Sequence, residues 1–111
     1  MADIKTDWTR EEFKAYFLLY AANADQIETQ EERDFILSKV DAQVYDSIHQ
    51  EFDEDNDYQC IQKLLYTAKK YNYSKDDLEI LMDDIKKLFL TDGDFTSYER
   101  NLLVTLKMLF R

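Results

Sequence analysis

The amino-acid sequence predicts a single all-α domain, a compact bundle of about six helices. Three observations predict this fold class. The 111-residue chain contains no Pro and one Gly, whereas sheet proteins use both residue types at their many turns. Apolar residues make up 45% of the chain, enough to bury one core of packed helices. Capping residues recur just before segments whose apolar residues lie three and four apart. The length fits one domain over residues 1–111.

Three helices are predicted in the first half of the chain. Thr9 and Glu12 have the spacing of a capping box and begin a helix over residues 9–24, and Trp8 is expected to pack on Phe13 as a hydrophobic staple. Thr29 caps the second helix and Asp41 caps the third. The three predicted apolar faces are, in order, Phe13, Phe17, Tyr20, Ala21 and Ala24; Phe35, Ile36 and Val40; and Val44, Tyr45, Ile48 and Phe52.

Three more helices are predicted in the second half. The acidic run of residues 53–57 is interpreted as a solvated connector that leads into the fourth helix. Ser74 caps the fifth helix, and Thr96 with Glu99 caps the sixth. The predicted apolar faces of the fourth, fifth and sixth helices are, in order, Cys60, Ile61, Leu64, Leu65, Ala68 and Tyr71; Leu78, Leu81, Met82, Ile85, Leu88 and Phe89; and Leu102, Leu103, Leu106, Leu109 and Phe110.

A weak internal repeat suggests how the helices pair. The spacing Asp25, Thr29, Glu32 recurs without gaps as Asp92, Thr96, Glu99. Each copy consists of an apolar helix, an acidic turn and a capped helix, and two such halves can pack about a pseudo-twofold axis. The alternative is that capping boxes simply recur in a helical protein.

The charge of the chain is unevenly distributed. The formal net charge is −10, and residues 1–68 carry all of it, with 16 Asp and Glu against 6 Lys and Arg. An acidic surface repels phosphate, so nucleic acids and anionic membranes are disfavoured and a protein partner with a basic surface is expected. Direct membrane insertion is not expected, because no segment has the roughly 20 apolar residues of a span. We expect a cytoplasmic monomer or homodimer, with Tyr58, Tyr73 and Tyr98 as candidate interface residues.

No catalytic motif is present in the sequence. Cys60 is the one cysteine and His49 the one histidine, so neither a tetrahedral zinc site nor an intramolecular disulfide can form. We expect Cys60 to be a buried free thiol and His49 to lie on the surface of the third helix. A single Gly excludes P-loop and Rossmann fingerprints. A hydrolase with a pair of carboxylates is the remaining enzyme hypothesis, but no substrate-positioning signal accompanies the acids. A non-enzymatic function is predicted.

The acidic residues raise the question of a metal site. An EF-hand loop at residues 53–64 fails, since Tyr58 replaces the required Gly and Leu64 the required Glu. Acidic residues that flank the two predicted turns form a different candidate site: Asp25, Glu28, Glu31 and Glu32 at one turn, and Asp92, Asp94 and Glu99 at the other. Such oxygen ligands suit Ca²⁺ or Mg²⁺. The alternative is that these acids only cap and solvate helix starts.

One of these turns carries a motif. The segment Asp92-Gly93-Asp94-Phe95-Thr96-Ser97-Tyr98-Glu99 matches the pattern D-G-x-apolar-(S/T)-x-x-E. With this motif the chain resembles the TerB-like, tellurite-resistance family, which includes the N-terminal domain of a membrane-anchored DnaJ-type co-chaperone. Residues 21–32 are similar to a degenerate copy of the motif without its Gly. The resemblance implies a compact helical bundle. It also implies metal-linked positions at Asp92, Asp94 and Glu99, with counterparts at Asp25, Glu28, and Glu31 or Glu32.

The resemblance also implies a function. Members of this family are associated with tellurite and other chemical stress and act through protein complexes. The expected function is therefore a non-enzymatic TerB-like interaction module in a bacterial stress response, cation-responsive if the acidic turns bind Ca²⁺ or Mg²⁺. The alternative is an ion-independent acidic adaptor or co-chaperone-like module, which the charge asymmetry alone would support.

Overall fold

The protein is all-α in its described part. A computed structural model describes residues 6–23, 29–90, 104 and 108, which contain no strand. Five helices lie in this part: α1 (Arg10–Ala22), α2 (Gln30–Lys39), α3 (Ala42–Glu54), α4 (Asp57–Lys70) and α5 (Lys75–Phe89). Val104 and Met108 are helical too. The rest of the predicted sixth helix lies outside the described residues, and so does the second acidic turn on which the pseudo-twofold arrangement depends. No helix of the described part is long and apolar enough to cross a membrane.

The helix starts follow the predicted caps. Thr9, Thr29 and Ser74 each form a complete capping box, and the Asp41 side chain accepts a hydrogen bond from the backbone N–H of Gln43 at 2.8 Å. The cap of α4 was not predicted. It is Asn56, and it lies inside the run that the sequence suggested was a solvated connector. Two residues therefore separate α3 from α4.

α1 is the central helix of the fold, and its predicted apolar stripe was too narrow. Its buried residues cover nearly the whole circumference: Phe13, Ala15, Tyr16, Phe17, Leu18, Leu19, Ala21 and Ala22. The physical reason is that α2, α3, α4 and α5 all pack around it. The eight consecutive apolar residues 15–22 are the sequence signal of such a helix, since a helix that is apolar all round is a buried one.

The outer helices each contribute one apolar face to this core. The buried residues are Glu32 and Ile36 of α2; Tyr45 and Ile48 of α3; Cys60, Leu64, Thr67 and Ala68 of α4; and Leu81, Met82, Asp84, Ile85, Leu88 and Phe89 of α5. Val40, just after α2, is buried as well. The Asp84 carboxylate is paired with the Lys14 ammonium at 3.2 Å, which ties α5 to α1.

Two aromatic residues take positions that the sequence did not indicate. Trp8 was expected on Phe13, but its ring packs against Tyr16, with 4.4 Å between centroids. Tyr73 is a candidate interface residue by sequence, but it is half-buried and its ring meets Phe13 edge-on at 5.0 Å. Tyr58 is 52% exposed, as predicted. Tyr98 lies outside the described residues.

The turn between α4 and α5 depends on a left-handed residue. Asn72 has φ 52°, a conformation that a short polar side chain tolerates better than most. It allows the Tyr73 N–H to bond the Ala68 carbonyl and the Asn72 N–H to bond the Lys69 carbonyl. These two bonds form a Schellman motif, which satisfies the last carbonyls of α4 and returns the chain toward the core.

Candidate functional site

Two of the seven predicted metal-site residues lie in the described part of the chain. Glu31 is exposed in the first turn of α2. Glu32 is buried, and its Oε1 accepts hydrogen bonds from Thr29 N (3.0 Å) and Thr29 Oγ1 (3.2 Å). Its carboxylate therefore closes the capping box that begins α2.

The other five predicted residues, Asp25, Glu28, Asp92, Asp94 and Glu99, lie outside the described residues. Within the part that is described, no three His, Cys, Asp or Glu side chains are grouped so that they could hold a metal ion. Binding of Ca²⁺ or Mg²⁺ at the acidic turns therefore stays a prediction from the sequence.

The described helices show where the negative charge lies. Residues 29–57, which contain α2, α3 and the first residue of α4, hold ten Asp and Glu against two Lys and Arg. Seven of these acids are exposed, and we call them the acidic surface: Glu31, Asp34, Asp41, Asp46, Asp53, Glu54 and Asp57. Residues 58–90, by contrast, hold five acids and six bases, so the part of the chain that contains most of α4 and all of α5 is nearly neutral.

The exposed acids of α3 follow from its amphipathic pattern. Tyr45 and Ile48 turn inward, so Asp46, Asp53 and Glu54 come to lie on the outward side of the same helix. Asp53 Oδ2 accepts a hydrogen bond from the His49 ring nitrogen Nδ1 at 3.1 Å. Asp46 and Glu54 form no ion pair with another described residue. Within the described part of the chain, no cation compensates these two exposed carboxylates.

A second group of polar side chains lies between α1, α3 and α4. We call it the polar cluster: Trp8, Tyr16, Glu51, Asp55, Cys60 and Lys63. At its centre the Lys63 ammonium donates to Glu51 Oε2 and to Asp55 Oδ2, both at 2.8 Å. The Tyr16 hydroxyl lies 2.6 Å from Asp55 Oδ2 and 3.1 Å from Cys60 Sγ. The Trp8 indole N–H donates to Glu51 Oε1 at 3.2 Å. The cluster thereby connects three helices and the segment before α1.

The environment of the cluster shifts three pKa values upward. Burial raises the pKa of Tyr16, and its hydrogen bond to Asp55 raises it further. Burial also raises the pKa of Cys60, and this outweighs the opposing effect of the Tyr16 hydrogen bond. For Lys63, burial by itself lowers the pKa, but the hydrogen bonds to Asp55 and Glu51 prevail and the pKa is raised.

These shifts decide what the cluster can do chemically. At neutral pH Tyr16 and Cys60 stay protonated and Lys63 stays charged, since each pKa lies above its ordinary value. A nucleophilic thiol needs the opposite shift, toward the thiolate. Lys63 compensates the charge of a carboxylate that is nearly buried, with Asp55 at 8% side-chain exposure. The geometry is that of a structural ionic network.

Sequence reasoning missed this cluster. Asp55 was grouped with the solvated acidic run, and no role was predicted for Glu51 or Lys63. One signal was available: Lys63 lies four residues before Thr67 and three after Cys60, on the buried side of α4. A lysine at an inward helical position indicates a paired charge. Its acidic partners come from α3 and its end, and only the tertiary fold identifies them.

Comparisons with known proteins add no relative. No protein-family model matches the chain, and neither a curated protein nor a solved structure matches it.

Proposed function

We propose that the chain is a non-enzymatic interaction module of the TerB-like kind, which binds a protein partner with a basic surface and acts in a bacterial response to chemical stress. The observation that carries this proposal is the acidic surface. Its seven exposed carboxylates lie between residues 31 and 57, on α2, α3 and their flanking residues, while residues 58–90 are nearly neutral. Such an asymmetry steers a basic partner toward α2 and α3 and repels acidic ones.

The placement of the charge supports binding better than it supports stability. Like charges on one face repel each other, and Asp46 and Glu54 are not compensated by any described base. Tyr58 is 52% exposed and lies next to Asp57 in the first turn of α4. Tyrosine is enriched among the residues that dominate protein interfaces, and a partner's Arg could stack on its ring while pairing with neighbouring acids.

Responsiveness to cations is the second part of the proposal. Its support is the D-G-x-apolar-T-x-x-E pattern at residues 92–99 and the related acids at residues 25–32. Ca²⁺ or Mg²⁺ held there would change the charge that a partner encounters at the start of α2. The rival form of the same function is an adaptor that binds its partner without any ion.

A matched pair of charge variants tests the binding surface. The probe is a short amphipathic helical peptide with Lys and Arg on its polar face. Asp46→Asn/Asp53→Asn/Glu54→Gln removes three exposed carboxylates from α3. Asp76→Asn/Glu79→Gln/Asp83→Asn removes three exposed carboxylates from α5 and serves as the control. At low salt we expect the α3 variant to weaken binding about tenfold and the α5 variant by much less. Equal weakening by both variants would mean a non-specific charge effect.

An ion titration followed by amide NMR tests the cation response. Ca²⁺ and Mg²⁺ are added separately to the metal-free protein at physiological salt. Saturable shifts centred on residues 25–32 and 92–99, lost in Asp92→Asn/Asp94→Asn, are expected for an ion-responsive module. Small, unsaturable shifts spread over the acidic surface would reject ion binding and leave the ion-independent adaptor.

A further inference from the structure

Residues 6–9, which we call the N-terminal strap, pack against α1, α3 and α4 in the way that a bound peptide packs against a protein surface. The strap forms no helix or strand, and its last residue, Thr9, has extended backbone angles and caps α1. Its side chains alternate, with Thr6 and Trp8 buried and Asp7 and Thr9 exposed. Alternation of this kind is the mark of an extended segment with one face against a surface. Trp8 is 5% exposed although it precedes the first helix.

Three helices supply the residues that contact the side chains of the strap. We call these residues the seat: Tyr16 of α1, Glu51 of α3 and Thr67 of α4. The Trp8 ring packs on Tyr16 of α1, and its N–H reaches Glu51 of α3. The Thr6 hydroxyl bonds the hydroxyl of Thr67 of α4, which itself donates to the Lys63 carbonyl. Thr6 is therefore held by a hydroxyl group. Trp8 is held by an aromatic ring and a carboxylate.

Side chains of α4 also hold the backbone of the strap. Lys70 Nζ donates to the Thr6 carbonyl at 3.3 Å, and the Tyr71 hydroxyl donates to the Trp8 carbonyl. Among the described residues, the backbone N–H groups of residues 6–8 make no hydrogen bond to another backbone group. If residues 6–8 of the strap moved away from the seat, no helix hydrogen bond would break. Water could replace each polar contact of the strap.

We propose that this seat is a peptide-binding site that the chain's own strap occupies, and that the strap opens as a unit while the helices stay folded. The ligand class is an extended peptide segment with an indole side chain two residues after a hydroxyl side chain, the pattern of Thr6 and Trp8. A partner segment of this chemistry competes with the strap for Tyr16, Glu51 and Thr67. Tyr16, Glu51 and Thr67 are not among the seven residues of the acidic surface, so the two sites can be tested with separate variants.

Hydrogen exchange of the Trp8 indole N–H in the full wild-type chain tests the opening. Trp8 is the one tryptophan, so its indole resonance is unambiguous. After correction for intrinsic rates, we expect its opening constant to exceed those of the Phe17 and Leu18 amides at least about tenfold, with no dependence on urea below the unfolding transition. The same opening constant and urea dependence for all three groups would overturn the proposal, because the strap would then leave only on global unfolding.

Direct binding of a peptide to a chain whose own indole is removed tests the ligand class. Trp8→Ala removes the one indole of the chain, so a synthetic peptide with the sequence of residues 4–10 supplies the only tryptophan emission. We expect a saturable blue shift of that emission when the folded variant is added. Adding Glu51→Gln to the variant should weaken binding at least about threefold, whereas the exposed-site control Glu79→Gln should not.

Peptide emission that stays unshifted with a Trp8→Ala protein of wild-type helicity would reject the seat as a binding site. If the Trp8→Ala chain does not fold, the wild-type exchange experiment decides by itself whether the strap opens. Binding that is equally strong after Glu51→Gln and after Glu79→Gln would place the peptide elsewhere and also overturn the proposal.

Discussion

Replacing Lys63 with Met should destabilise the protein by about 2–3 kcal/mol. The Lys63 side chain is 15% exposed, and its ammonium lies 2.8 Å from oxygens of both Glu51 and Asp55. Breaking a buried ion pair from one side typically costs about 3–5 kcal/mol, since a buried charge is left unpaired. Here the loss is smaller. Asp55 keeps its hydrogen bond from the Tyr16 hydroxyl, and the Glu51 side chain, at 35% exposure, is largely stabilised by water.

The assay is urea unfolding at pH 7, followed by circular dichroism and by Trp8 fluorescence. Lys63→Met, Asp55→Asn and the double variant form a double-mutant cycle with the wild type. An uncharged Asn at position 55 leaves no buried charge for the ammonium to compensate. We expect the double variant to be more stable than the sum of the two single losses predicts, by at least about 1 kcal/mol. A loss below about 0.5 kcal/mol for Lys63→Met, or strictly additive losses, would refute a structural role for the network.

Three further outcomes follow from other contacts. Because the pKa values of Cys60 and Tyr16 are raised from 9.0 and 10.0, the unfolded chain loses these protons first as pH rises. The urea concentration at the unfolding midpoint should therefore decrease above about pH 9 and decrease more steeply above about pH 10. Cys60→Ala should reduce the decrease between about pH 9 and pH 10. A midpoint that stays constant up to about pH 10.5 would contradict this reasoning. Asn72→Gly should be more stable than Asn72→Ala by about 1 kcal/mol, because φ is 52° at this position; equal stability in thermal melts would contradict the left-handed turn. Thr9→Ala should cost about 1 kcal/mol by removing the α1 cap, whereas Thr9→Ser should cost much less, and urea unfolding of the two variants distinguishes them.

Local signals in the sequence were sufficient for most helix starts. Capping boxes involve residues three apart, so Thr9, Thr29 and Ser74 could be identified without any knowledge of the fold. Asn56 was missed because its acidic neighbours suggested a connector. The burial of α1 on all sides was underestimated for a different reason. A stripe of a few apolar residues was fitted to a helix whose surroundings, four other helices, are a property of the tertiary fold.

The candidate sites could be predicted only in part. The charge asymmetry is a property of composition, and the exposed acids of α2 and α3 agree with it. The polar cluster depends on contacts between residues 39 and 44 positions apart, such as Tyr16 with Asp55 and with Cys60. No local pattern specifies such contacts. The seat of the strap also depends on contacts between distant residues, since Thr6 and Thr67 lie 61 positions apart.

One measurement tests the role of the acidic surface most directly: amide NMR shifts of the labelled protein as the basic peptide is added, repeated at higher salt. Binding through this surface predicts saturable shifts on the exposed residues of α2, α3 and the link to α4, with an affinity that falls as salt screens the charges. Shifts centred on α5, or an affinity that is unchanged by salt, would contradict it.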